Sequence, residues 1–235
     1  MTIRPALPGD VPAMAAILTA NDEAMDWPDL PELGWPYLDH LVERARAFVA
    51  ETDGRVAGLA ASVGVGSESV RFLTDLYVYP DRQSHGMGRA LLGEVMARSD
   101  ERMTFSSGDP RALALYIRAG MRPWWPLLYV EVEASQLGGD DAGVEIEPSD
   151  VAETADRSLA WSGVDRSADF AHYGSLPEAA GFVVRDGGAA AAVGWARRER
   201  LASDGRWLDH ASLAPDADPV RAALGSCAPR LRAAD

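Results

Sequence analysis

The stretch with the clearest chemical potential is Gln83-Ser84-His85-Gly86-Met87-Gly88-Arg89. It follows an alternating apolar run that ends at Pro80. After it come Ala90, Leu91, Leu92, Val95 and Met96, an apolar set at helical spacing. The first N–H groups of such a helix lack internal partners and stand at the positive end of its dipole. Gly86 and Gly88 carry no side chain, so a phosphate could approach that backbone closely. The segment is neither a Walker loop, which needs GK[ST], nor a dinucleotide fingerprint, which needs GxGxxG. Taken alone, two glycines fit an ordinary capped strand-to-helix turn better than a ligand site.

A second set of residues could handle a cation. Asp22, Glu23 and Asp26 lie with Trp27 and Trp35 in a polar segment between two helical stretches. Carboxylates and indole faces together could hold an ammonium group by charge and cation–π contact. A polar loop anchored by tryptophans reads equally well. Asp75, on the strand leading into the glycine segment, could accept a proton, point to solvent or pair with Arg71.

These residues need a frame. Ile3 opens a short strand, and Asp10 is an N-cap candidate for a helix whose stripe is Val11, Met14, Ile17 and Leu18. Tyr37 to Arg46 reads as a second helix. AFVAETDGRVAGLAASVGV is two apolar runs joined at Asp53-Gly54, a strong hairpin signal. Val70 to Val78 alternates, with Val70, Phe72, Thr74, Leu76 and Val78 on one face.

The second half repeats this order. VEIEPSDVAETADRSLAW parallels the opening strand and helix, with Asp150 in the place of Asp10. GFVVRDGGAAAAVGWARRE parallels the hairpin, and RWLDHASLAPDADPVRAALGS parallels FLTDLYVYPDRQSHGMGRALLGE without the glycine-bearing loop. Such self-similarity predicts duplication of one α/β unit. The expected organisation is a first domain over 1–134, a linker over 135–143 and a degenerate second domain over 144–235. His172, Tyr173 and His210 in that second part could serve a site, though structural roles suit them better.

Composition bounds the partners. Of 235 residues, 47% are hydrophobic and 25% charged, as in a globular protein. A formal charge of −14 argues against nucleic acid or an anionic membrane as partner, and mildly favours a cationic one. No apolar run is long enough to span a bilayer, and MTIRPALPGD does not read as a signal peptide. Cys227 is the single cysteine, so neither an internal disulfide nor a cysteine metal cluster is expected. The expectation is a cytoplasmic protein that uses no metal.

Gln83 to Gly88 matches the [QR]-x-x-G-x-[GA] signature of the GNAT superfamily of acyl-CoA-dependent N-acetyltransferases, with Val78 to Pro80 before it and Arg89 to Leu92 after. Asp109 to Pro123, DPRALALYIRAGMRP, resembles that family's later helix, usually N-x-x-A-x-x-[FL]-Y-x-x-x-G-F. The resemblance covers residues 1–134. It implies an α/β fold: a mixed, mostly antiparallel central sheet flanked by helices, here followed by a second, partial unit of the same kind.

The resemblance also implies chemistry. Acetyl-CoA is the expected cofactor, acting as acyl donor. Its pyrophosphate would sit on Gln83, Ser84, His85, Gly86, Met87, Gly88 and Arg89. Its pantetheine would pair along Leu76, Tyr77 and Val78 and pass Asp109, Ala112 and Tyr116. Tyr116 would be the general acid, or else a core aromatic; Asp75 is a candidate base; and Asp22, Glu23, Asp26, Trp27 and Trp35 would line the acceptor pocket. The expected acceptor is a small-molecule primary amine, probed against two alternatives: a peptide amine, or a non-catalytic acyl-CoA sensor. A homodimer is a further expectation. Two positions depart from the family pattern. Asp109 stands where asparagine is usual, and Met121 where phenylalanine is usual.

Overall fold

The computed structural model describes residues 1–24, 34–67, 69–124, 143–176, 179–198, 206–219 and 221–222. The chain divides into two units, Met1–Leu128 and Tyr129–Asp235. Most of the expected linker, residues 135–142, lies outside the described residues.

In the first unit, β1 (Thr2–Pro5) leads through a 3-10 turn into α1 (Val11–Ala24), and α2 (Gly34–Arg44) follows. Asp10 does not cap α1 forwards. Its carboxylate reaches back to the Leu7 N–H at 2.8 Å and pairs with Arg4 Nη1 and Nη2 at 2.7 and 2.8 Å. The second helix ends at Arg44, and Arg46 already belongs to β2 (Arg46–Thr52). The turn to β3 (Arg55–Gly64) has Asp53 and Gly54 both at positive φ, 53° and 71°, as the twist of a two-residue hairpin demands. After β4 (Val70–Val78) come α3 (Met87–Val95), β5 (Glu101–Thr104) and α4 (Pro110–Arg118). The last helix has a clear start and stop: Asp109 accepts from the Arg111 N–H, Pro110 takes the first position, and Gly120 lies beyond the end at φ 88°.

The five strands form one sheet in the order β1-β2-β3-β4-β5, antiparallel except for the β4–β5 pair. Alternation sends residues to two apolar layers. Val49, Leu59 and Ala61 pack with Met14, Ile17, Leu38 and Leu41 from α1 and α2. Ala50, Ala60 and Leu73 pack with Met87, Leu91 and Val95 from α3, joined by Leu115 and Tyr116 from α4.

On β4, the buried residues are Arg71, Leu73, Asp75 and Val78, while the other apolar alternates, Val70, Phe72 and Leu76, are less buried. Arg71 is buried because it is satisfied: its Nε donates to Ser62 Oγ (2.9 Å) and its Nη2 to the Ser62 carbonyl (2.8 Å).

The second unit holds β6 (Val144–Ser149), α5 (Val151–Ser162), α6 (Ser167–Gly174), β7 (Ala179–Asp186), β8 (Ala189–Arg198) and β9 (Arg206–Leu213). Its sheet runs β6-β7-β8-β9, all antiparallel. The irregularities recur in the same places. In both hairpins the residue three positions into the second strand, Ala57 or Ala191, is passed over in the pairing. In both sheets the last strand then carries one extra residue, Thr74 or Asp209. Asp75 opposite Ala61 therefore corresponds in register to His210 opposite Trp195.

Candidate active site

β4 outruns its parallel neighbour. β5 pairs only with Val70 to Leu73, and the extra residue Thr74 follows at once. Beyond this bulge the Tyr79 N–H donates to the Ala57 carbonyl at 3.0 Å, and Tyr77 stands opposite Leu59. At period two, the N–H and C=O groups of Leu76 and Val78 therefore turn away from β3, towards the side β5 has left. The result is a stretch of strand edge, made by the Leu76 N–H and C=O and the Val78 N–H, that an extended ligand can pair with; the Val78 carbonyl already accepts from Asn21 and Gln83.

The same strand leads to the glycine segment. Ser84 and Gly86 both adopt positive φ, 68° and 83°. Gly86 forms the N-cap of α3 with no side chain bonded to the helix end. A Cβ at Gly86 would meet nothing within 4 Å, so the space above the helix start is open. Open space, an uncapped helix start and a conformation that favours glycine together fit a phosphate group. Met87 offers only its backbone, since its side chain is buried in the α3 layer. His85 and Arg89 are exposed; His85 Nδ1 is 2.6 Å from the Gln83 carbonyl.

Side chains tie four elements together around this edge. Asn21, in the last turn of α1, donates from Nδ2 to the Val78 carbonyl at 3.2 Å. Gln83 Nε2 donates to Asn21 Oδ1 (3.2 Å) and to the same Val78 carbonyl (3.1 Å). Gln83 Oε1 accepts from Arg111 Nη1 at 2.6 Å, and Arg111 Nη2 pairs with Asp109 Oδ2 at 2.7 Å. Asp109 is thus a helix cap and an ion-pair partner. Bonding from the Arg111 side chain and backbone holds its carboxyl below the usual range.

Asp75 is buried, 6% exposed, which rules out the solvent-facing reading. Tyr37 Oη donates to its Oδ2 at 2.6 Å. Burial pushes the carboxyl pKa up; hydrogen bonds from Tyr37 and Thr74 pull the other way. Tyr116 is half-buried against the α3 layer, and its phenol is pushed up first by burial and then by the negative charge of Asp75. The two groups expected to move protons therefore sense each other.

The acceptor candidates divide. Asp22 and Glu23 are not in a loop, because α1 continues to Ala24. Asp22 is partly buried, and that burial raises its carboxyl; Glu23 is exposed. Asp26 and Trp27 lie outside the described residues, as does the Trp35 side chain. Asn21, Tyr37 and Arg111 belong to the site and were not marked by the sequence pattern. Each acts through a contact 28 or more residues away along the chain.

The sequence model of the acetyltransferase (GNAT) family matches residues 14–121. The chain carries a GNAT acetyltransferase domain. The matched span contains the β4 edge, the glycine segment, Asp75 and Tyr116, and the protein is an acyltransferase. A search of curated proteins gave no match.

A solved structure agrees on the fold. A protein from Pyrococcus horikoshii described as an acetyltransferase is 15% identical and covers 84% of this chain and 68% of its own, with a TM-score of 0.57. A protein from Agrobacterium tumefaciens described as an acetyltransferase is 18% identical over 56% of this chain and 100% of its own (TM-score 0.46). The ribosomal-protein-alanine N-acetyltransferase of Brucella melitensis is 25% identical over 51% of this chain and 83% of its own (TM-score 0.41).

In the second unit, the proline-bearing stretch expected to parallel Pro80 to Met87 is shorter. Only Asp216, Ala217 and Asp218 separate Pro215 from helical Pro219, against six residues between Pro80 and Met87. Asp218 Oδ1 then accepts from the Arg221 N–H at 3.1 Å, so a carboxylate caps this helix start. Among the described residues no group of three or more His, Cys, Asp and Glu could hold a metal, and no helix is long and apolar enough to cross a membrane.

Proposed function

We propose that the protein transfers an acetyl group from acetyl-CoA to a primary amine of a small, cationic acceptor. The observation that carries this reading is the edge of Leu76 and Val78, left open by β5, running directly into the uncapped start of α3. Bound there, acetyl-CoA supplies an activated acyl thioester. The Val78 N–H is oriented to polarise its carbonyl. Asp75 takes the proton lost by the attacking amine, directly or through water, and its raised pKa makes it the stronger base for that task. As the carbon–sulfur bond breaks, the Tyr116 hydroxyl protonates the departing thiolate. Burial and the charge of Asp75 keep that hydroxyl protonated through neutral pH. A cationic acceptor is supported by the overall charge of −14 and by Asp22 beside Asn21 at the end of α1.

We read the second unit as a shortened copy of the first. Its matching strand order and matching irregularities support this. With a carboxylate at its helix start, this copy would repel a phosphate, so it takes no acetyl-CoA. A cytoplasmic setting suits a reaction that draws on acetyl-CoA.

The test is a thiol-release assay with acetyl-CoA against a panel of diamines, amino sugars, amino acids and peptides. Turnover with diamines above all others is the expected result. Acetyl-CoA binding by calorimetry with no turnover on any amine would overturn the catalytic reading.

A further inference from the structure

We infer that Tyr37 is a positioning residue for the proton acceptor of the reaction, setting both the direction and the proton affinity of the Asp75 carboxylate. This rests on the reading of Asp75 as the base. Asp75 sits beside the bulge residue Thr74, where β4 leaves β5, so its backbone alone does not fix where the carboxylate points. Tyr37 Oη, from the first turns of α2, holds Oδ2 at 2.6 Å, the short distance of a hydrogen bond to an ionised oxygen. With one oxygen fixed, the plane of the carboxylate is fixed, and with it the direction in which the second oxygen meets an incoming amine.

The phenol ring packs against the α1–α2 layer, so this arm does not swing freely. The helix that carries Tyr37 begins at Gly34, next in sequence to the segment expected to line the acceptor pocket.

Other titratable, charged and polar groups stand on the same strand and on α1, α2 and α4. On β4 itself, Thr74 also lowers the Asp75 pKa while its hydroxyl donates to the Ala61 carbonyl at 3.1 Å, and Arg71 is bonded to Ser62. From α4, Tyr116 senses the Asp75 charge. From α2, buried His40 lies three residues beyond Tyr37, and from α1, Asp22 is partly buried. Among these, Tyr37 supplies the hydrogen bond that favours the charged carboxylate from outside its own strand.

The experiment compares the full chain with Tyr37→Phe and with a variant bearing 3-fluorotyrosine at position 37 alone. The acceptor is the best amine of the panel above. In Tyr37→Phe the carboxylate loses a donor, so the acidic limb of the kcat/KM profile should move up by about one pH unit. The rate at pH 7 should fall by roughly three- to tenfold, with the acetyl-CoA KM unchanged. Fluorotyrosine is a stronger donor of the same shape and should move the limb down, which keeps the test available if the Phe variant misfolds. A limb that stays in place in both variants, while Asp75→Asn abolishes turnover, overturns the positioning role and leaves Asp75 as base. Full activity in Asp75→Asn instead removes the base assignment, and the inference with it.

Discussion

Gln83 and Arg111, 28 residues apart, are joined by a 2.6 Å hydrogen bond that ties the glycine segment to the first turn of α4. Through Gln83 the link continues to the Val78 carbonyl, so it spans the gap beside the open strand edge. Arg111→Ala should leave stability nearly unchanged, because Arg111 is exposed and such pairs contribute about 0–1 kcal/mol. It should loosen the spacing between β4 and α4, and so raise the acetyl-CoA KM by roughly three- to tenfold while kcat stays within about twofold. Steady-state kinetics at saturating amine separates the two parameters.

Tyr116→Phe removes a hydroxyl and little else. Loss of a general acid should lower kcat by about 10²-fold while calorimetry finds acetyl-CoA affinity within about threefold of the parent. Because burial and Asp75 raise the phenol pKa, no rate loss from its ionisation is expected up to its ordinary value near 10. Full activity in the Phe variant would return Tyr116 to a packing role.

Asp75 gives a prediction of opposite sign for activity and stability. Its folded pKa is raised, so between the unfolded value, about 3.9, and the folded one the native state binds more protons. Stability contributed by this group therefore falls as pH rises through that window. Asp75→Asn keeps an acceptor for Tyr37 without the buried charge. It should stabilise the protein by on the order of 1 kcal/mol at pH 8, and by less at pH 4, while turnover collapses. Thermal melts at the two pH values, beside the activity assay, check both halves.

Asp10 behaves the other way. Arg4, first through hydrogen bonds and then through charge, holds its carboxyl below the usual range. The stability this provides is present above the unfolded pKa, about 3.9, and is lost as pH falls through the folded value. Asp10→Asn should cost about 2 kcal/mol at pH 7 in urea unfolding, a cost that shrinks below pH 4.

Local rules made much of this fold readable. Asp53-Gly54 and Gly187-Gly188 are turn chemistry, and Asp109-Pro110 with Gly120 brackets a helix, so hairpins and α4 follow from neighbours in sequence. The glycine segment was equally legible, because positive φ at Gly86 is a backbone demand. What was hidden depends on distance. The end of α1 carries no stop signal, so Asp22 and Glu23 read as loop although they are helical. The bulge at Thr74 changes which amides face outward, a property of strand pairing and not of the strand's own pattern. Tyr37 read only as the start of a helix; the fold alone brings its hydroxyl to Asp75.

The central claim is that the open β4 edge and the start of α3 form one acetyl-CoA site. Calorimetric titration of acetyl-CoA into the full chain and into Gly86→Trp tests it most directly, with melts to confirm that the variant folds. A side chain at Gly86 meets no neighbouring atom but is strained at φ 83°, so the indole should block or reshape the cradle while sparing the packed core. The account predicts one site per chain in the parent and affinity reduced by about a hundredfold or more in the variant. Equal affinity in a folded Gly86→Trp protein, or two sites per chain in the parent, would contradict it.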